Sequence, residues 1–193
     1  MLIDVEGRFE VFPPPWRGMK GASLEMRGFI CDEMLKKLAR WLRIAGYDVL
    51  SPAGNSDDEL VDLSSREDRI LLTRDKDLSN RKDANSYRII SDDLDEQLIE
   101  FLRMFPRESY APGQTRCALC NGALHYISGY RIENDQEIRN RIPHNVLLYM
   151  KEYYRCASCG KVYWKGGHWA RISERLDRLL QTRSKSDPTR TLL

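Results

Sequence analysis

The sequence predicts an α/β domain on a mainly parallel sheet sandwiched by helices, then a small four-cysteine module and a terminal helix. Three observations predict it. Between residues 27 and 106, short apolar runs alternate with stretches of helical periodicity. Four of the five cysteines form two CxxC pairs, Cys117-Ala-Leu-Cys120 and Cys156-Ala-Ser-Cys159, separated by 35 residues. After residue 167, Ile172, Leu176, Leu179 and Leu180 recur at helical spacing. A chain of 193 residues has room for one ordinary domain and a small second one.

The elements follow in order. The stretch "FICDEMLKKLARWLRIAGYDVL" holds a strand over 28–31, a helix over 33–45 and a strand over 47–50. Leu35, Leu38, Ala39 and Leu42 form the apolar stripe of that helix, with Lys36, Arg40 and Arg43 on the other side, and Gly46 ends it. A helix over 57–67, a strand over 69–73, a short loop, a strand over 87–91 and a helix over 93–104 complete the domain. Strands alternating with helices at this spacing imply parallel pairing. Pro106 closes the domain. The cysteine module runs from about 110 to 167, with strands at 123–130 and 146–155, and the final helix covers 168–182. Four segments result: a tail or arm over 1–26, the α/β domain over 27–106, module and helix over 107–182, and a flexible tail over 183–193.

Charge is segregated between the two halves. Residues 27–106 hold 13 Lys/Arg against 17 Asp/Glu, whereas 107–182 hold 12 against 7. An acidic half joined to a basic one suits a cation-binding region coupled to a polyanion-binding one, and equally suits two solvated surfaces. No apolar run approaches the ~20 residues that span a membrane. The opening MLIDVEGRFEVFPPPWRG has charges and three consecutive prolines where a signal peptide has an apolar stretch. A cytoplasmic location is expected.

In that reducing setting, two CxxC pairs point to a tetrahedral zinc rather than disulfides. Cys117, Cys120, Cys156 and Cys159 would fill all four positions, so the metal is structural. Asn121 and Gly160, just after each pair, suit the tight turns of two knuckles.

Carboxylates cluster at a different place. Asp32 follows the first strand, Asp75 and Asp77 follow the third, and Asp57 and Asp58 open the helix before it. With right-handed connections all lie on the carboxyl rim of the sheet, where open α/β sheets bind ligands. Oxygen donors in such a group suit Mg²⁺ or Mn²⁺. Singly, the same aspartates are ordinary helix N-caps or turn formers.

The stretches DEMLKKLARWLRIAGYDV, DDEL, RILLTRDKDL and YWKGGHWARI resemble the Mut7-C ribonuclease family, a branch of the PIN-domain nucleases with a C-terminal zinc ribbon. The resemblance covers roughly residues 27–182. It implies a PIN-like domain whose catalytic, metal-binding acids are Asp32, Asp58 or its neighbour Asp57, Asp75 and Asp77. It also implies metal-dependent hydrolysis of RNA phosphodiesters, of endonuclease type, with Lys36, Arg40 and Arg74 on the phosphates. The zinc ribbon and final helix would add grip through Lys165, Arg171 and Arg175. Partners would be RNA, with the ribosome or a ribosomal RNA precursor as further candidates. The competing reading is a non-catalytic RNA- or ribosome-binding factor.

Overall fold

In the computed structural model, residues 28–105 and 115–185 are described. The first strand β1, Phe29–Cys31, is followed by one 3-10 turn, Glu33–Leu35, and helix α1, Lys36–Ile44. Then come β2 (Val49–Leu50), α2 (Asp57–Arg66), β3 (Ile70–Thr73), the one-turn α3 (Lys76–Ser79), β4 (Ser86–Arg88) and α4 (Leu94–Met104). The four strands pair in the order β2-β1-β3-β4, all parallel. The chain therefore reverses its direction of travel across the sheet between β1 and β3. A crevice opens at such a switch point, past the carboxyl ends of the two strands.

Side-chain alternation along β1 and β3 builds a core on each face. Phe29, Cys31, Ile70 and Leu72 pack under α1 and α4, while Ile30 and Leu71 pack against α2 and α3. The first core is strongly aromatic: Phe29, Tyr47, Phe101 and Phe105 meet mainly edge to face at centroid distances of 4.9–6.1 Å. The Tyr47 hydroxyl, buried there, donates to the Phe105 carbonyl at 2.8 Å. Helix α1 ends as expected, with Gly46 at φ 90°.

The second module is a three-stranded antiparallel sheet, β5 (Leu124–Ile127), β6 (Tyr153–Cys156) and β7 (Val162–Trp164). Between β5 and β6 lie three short helices, α5 (Gly129–Asn134), α6 (Gln136–Asn140) and α7 (His144–Tyr149). Their Ile132, Ile138 and Ile142 share a small core with Ile127, Tyr153 and Val162. Two strand expectations are corrected here. The strand expected over 123–130 stops at Ile127, because Ser128 caps a helix. The strand expected over 146–155 begins only at Tyr153. Residues 144–149 coil behind Pro143, and Val146, Leu147 and Met150 meet the core at helical spacing. Strand β7 was not expected.

Helix α8, Gly167–Lys185, extends beyond the expected end at 182. It returns to the first domain, placing Leu179 in the α1–α4 core and Leu176 beside Ile44 and Ala118. The arm over 1–26, the boundary at Pro106 and the tail from 186 lie outside the described residues. None of the described helices is long and apolar enough to cross a membrane.

Candidate functional site

The carboxyl rim is built around Asp32. Its side chain is 7% exposed and caps the turn after β1 by accepting from the Leu35 backbone N–H at 3.1 Å. Thr73, the last residue of β3 and fully buried, donates its hydroxyl to Asp32 Oδ2, which also accepts from the Arg74 N–H at 3.4 Å. The same Thr73 oxygen accepts the Asp75 N–H at 2.9 Å. Asp75 in turn caps α3, its Oδ1 accepting from the Asp77 and Leu78 N–H groups at 2.7 and 2.9 Å. One continuous hydrogen-bonded chain thus ties the ends of β1 and β3 together across the switch point. Asp75 keeps its second oxygen free of such bonds, and Asp77 is exposed.

The other acids sit further out. Asp57 and Asp58 occupy the first turn of α2, but neither is its cap. That role belongs to Ser56, in a reciprocal capping box with Glu59. Asp58 is paired with Arg81, which also holds Asp83; Asp57 is exposed and has no ion pair among the described residues. At the end of β4, Asp92 pairs with Arg74. Two polar groups at this rim are buried without partners, the Ser51 hydroxyl just past β2 and Nε of Arg74. Sequence reasoning missed Thr73, Ser51 and Asp92. The "LLTRD" run and the "SDD" after β4 were the available signals.

Among the described residues, the one group of three or more His, Cys, Asp or Glu placed to hold a metal ion is the four cysteines, whose sulfurs lie within 4.8 Å of one another. The donor chemistry on this rim, hard oxygens held by backbone caps, fits Mg²⁺ or Mn²⁺. Cys31, beside Asp32, takes no part: burial and then the Asp32 charge hold its thiol protonated.

The expected phosphate contacts divide. Arg40 is exposed and has no ion pair among the described residues, Lys36 is paired with Glu33, and Arg74 with Asp92. Arg43, read as part of the cationic face, is buried instead. Its guanidinium donates to the carbonyls of Val49 (2.7 Å), Ala118 (3.2 Å) and Leu119 (3.0 Å), so it fastens the cysteine module to the first domain. In the second half, Lys165 pairs with Glu152 at 2.6 Å and lies over the Tyr154 ring. Arg175 pairs with Asp95 at 2.6 Å and stacks 4.8 Å from the centroid of Trp41. Arg171 is exposed, with no ion pair among the described residues.

The cysteines form a second centre. Two knuckles face each other, each with a backbone bond from its last residue to its first cysteine: Asn121 N–H to Cys117 O at 2.9 Å, and Gly160 N–H to Cys156 O at 3.1 Å. Both closing residues have positive φ, 69° and 71°. A Cβ on Gly122 would lie 2.7 Å from Cys156 Sγ, so glycine there lets the knuckles approach. Sγ–Sγ distances are 3.6 Å for Cys117–Cys159 and 3.4 Å for Cys120–Cys156. Bonds of ~2.3 Å to a tetrahedral zinc require sulfurs about 3.8 Å apart, so the four thiols could hold such a metal. Burial would raise the Cys117 thiol. Hydrogen bonds from the Tyr163 hydroxyl and the Cys120 and Leu119 backbone outweigh it and hold that thiol at about 6.

The module is anchored through Asp48, at the amino-terminal edge of the sheet. Asn121 donates to Asp48 at 2.7 Å and accepts the Val49 N–H at 3.1 Å, while Arg69 and Arg116 reach the same carboxylate at 2.8 and 3.2 Å. Burial would raise this carboxyl, but the bonds from Arg69 and Asn121 hold it below its usual range. The cysteine cluster and the acidic rim therefore lie at opposite edges of the sheet.

A family model described as the Mut7-C RNAse domain matches residues 27–176. No curated protein and no solved structure matches the chain.

Proposed function

The chain belongs to the Mut7-C RNAse domain family, and from that premise we propose that it is a metal-dependent ribonuclease of endonuclease type. The observation that carries this reading is the hydrogen-bonded chain Asp32–Thr73–Asp75 at the switch point of a parallel sheet. Asp32, Asp75, Asp77 and one of Asp57 and Asp58 would hold Mg²⁺ or Mn²⁺. When bound, the cation would supply an activated water and shield the charge of the leaving oxygen.

The rest is the work of this chain's own groups. Thr73 and the backbone caps hold Asp32 and Asp75 in fixed rotamers, so the donors are oriented before any ligand arrives. Arg40 is free to meet a phosphate, and Lys36 and Arg74 could exchange their carboxylates for one. The four cysteines would hold a structural zinc, which keeps the basic second module on the first domain. That module would aid RNA binding, with Arg171 the readiest contact, since Lys165 and Arg175 are already paired.

One observation favours the second reading, an RNA-binding factor without cleavage: Asp58 and Arg74 are already paired, with Arg81 and Asp92. A single assay separates the two. Structured and unstructured RNAs are incubated with Mn²⁺, Mg²⁺ or EDTA, beside an Asp32→Asn/Asp75→Asn double variant. Cleavage that needs the cation and vanishes in the variant supports the nuclease. Binding without cleavage under every condition supports the factor.

A further inference from the structure

A second concave site lies away from the rim. A cleft of about 620 Å³ lies between α1, the cysteine module and the start of α8. That volume falls in the range of sites for small ligands. Seventeen of the described residues line it and none of these is acidic, although 29 Asp and Glu in 193 residues would place two or three there. Arg40, Lys161 and Arg171 stand at this cleft exposed and without ion pairs among the described residues. Its walls include the Trp41 and Trp169 rings. Both rings are fixed before any ligand arrives: Arg175, held by Asp95, stacks on Trp41, and Trp169 packs against Ile44, Ala118 and Leu176.

We infer that this cleft is the binding site for an unpaired nucleotide of an RNA strand, its base against the indoles and its phosphates on Arg40, Lys161 and Arg171. Aromatic faces accept any base by stacking, and cations with no competing carboxylate attract the backbone. A duplex keeps its bases inside and has nothing to insert. Arg40 lies about 13 Å from Asp32 along the 3-10 turn and α1, counting ~1.5 Å per α-helical and ~2 Å per 3-10 residue. A strand of a few nucleotides could thus occupy cleft and rim together. The inference rests on RNA being the ligand, as in the proposed function, and goes beyond it by separating a gripping site from a cutting one.

The test measures binding of a fluorescein-labelled single-stranded oligouridylate to the full chain in EDTA, where metal-dependent cleavage is silent. Wild type should bind it, with quenching of tryptophan emission, and a duplex of equal length should not quench. An Arg40→Ala/Lys161→Ala/Arg171→Ala variant should lose tenfold or more in affinity with an unchanged thermal melt. The slope of log affinity against log salt should flatten by about 2, at ~0.7 per cation on a single strand. Equal binding by variant and wild type, or no binding by either, overturns the inference. Displacement of the oligouridylate by oligoglutamate at equal charge does so too, since it marks a site for acidic peptides. Separate incubation with Mn²⁺ distinguishes the two proposals. Cleft-dependent binding without cleavage sinks the nuclease alone, and cleavage with cleft-independent binding sinks the cleft alone.

Discussion

Asp75 has two duties that one substitution can pull apart. As the cap of α3, it accepts two backbone N–H groups through Oδ1. As a proposed cation ligand, it needs its negative charge. Asn caps about as well as Asp, whereas Ala costs about 1 kcal/mol at such a position. Asp75→Asn should therefore leave the melting temperature nearly unchanged, and Asp75→Ala should lower it by about 2–4 °C for a chain of this size. Activity should not follow that order. Losing a group that merely supports a ligand costs ~10–100-fold in affinity or activity, so losing a ligand should cost more than about 100-fold. Both variants should fall that far in RNA cleavage at fixed, high Mn²⁺. The measurements are initial cleavage rates and thermal melts on the same preparations. An Asp75→Asn protein that cleaves like wild type would remove Asp75 from the cation site. Rates tracking stability, with Ala impaired and Asn intact, would reduce Asp75 to a cap.

The remaining predictions concern the neighbours and the second centre. Separate Asp57→Asn and Asp58→Asn variants should show which acid the cation uses. A large loss for one alone identifies it, and equal mild losses point to dipole effects at the start of α2. Arg43→Met removes three charge-assisted bonds to carbonyls, at ~1.5–3 kcal/mol each before the relief of a buried charge. A net loss of about 2–4 kcal/mol is expected, with faster deuterium exchange at Val49 and residues 116–122; exchange like wild type would deny the fastening role. Freshly purified, reduced protein should contain about one zinc per chain, released by Cys117→Ser or Cys156→Ser. Metal analysis finding no zinc in the wild type would overturn the structural assignment.

The parallel architecture was legible because the two central strands are buried on both faces and read as plain apolar runs, "FIC" and "ILLT". The cysteine cluster was legible because CxxC spacing is a local property of the chain. What failed to show was decided by tertiary contacts. Arg43 shares a helical face with Lys36 and Arg40 by sequence, yet the carbonyls it binds come from residues 49, 118 and 119. Arg175 and Lys165 look like free cations until Asp95 and Glu152 are seen beside them. The role of Ser56 was readable, since S-D-D-E is a capping box, and the aspartates drew attention away from it. Helix α7 was missed because "NVLLYM" has no clear alternation, and only Pro143 ahead of it marks a helix start.

The insertion between β5 and β6 begins and ends in one place. Ile127 and Tyr153 are paired across the antiparallel ladder, so α5, α6 and α7 leave the sheet and return to it at adjacent residues. Topologically those three helices are a single enlarged hairpin loop, with a core of their own packed on the sheet. Doubling such a loop costs only ~0.6 kcal/mol in closure entropy, and neither knuckle feels its length directly. Lengthening or shortening this loop should therefore leave the four cysteines in place.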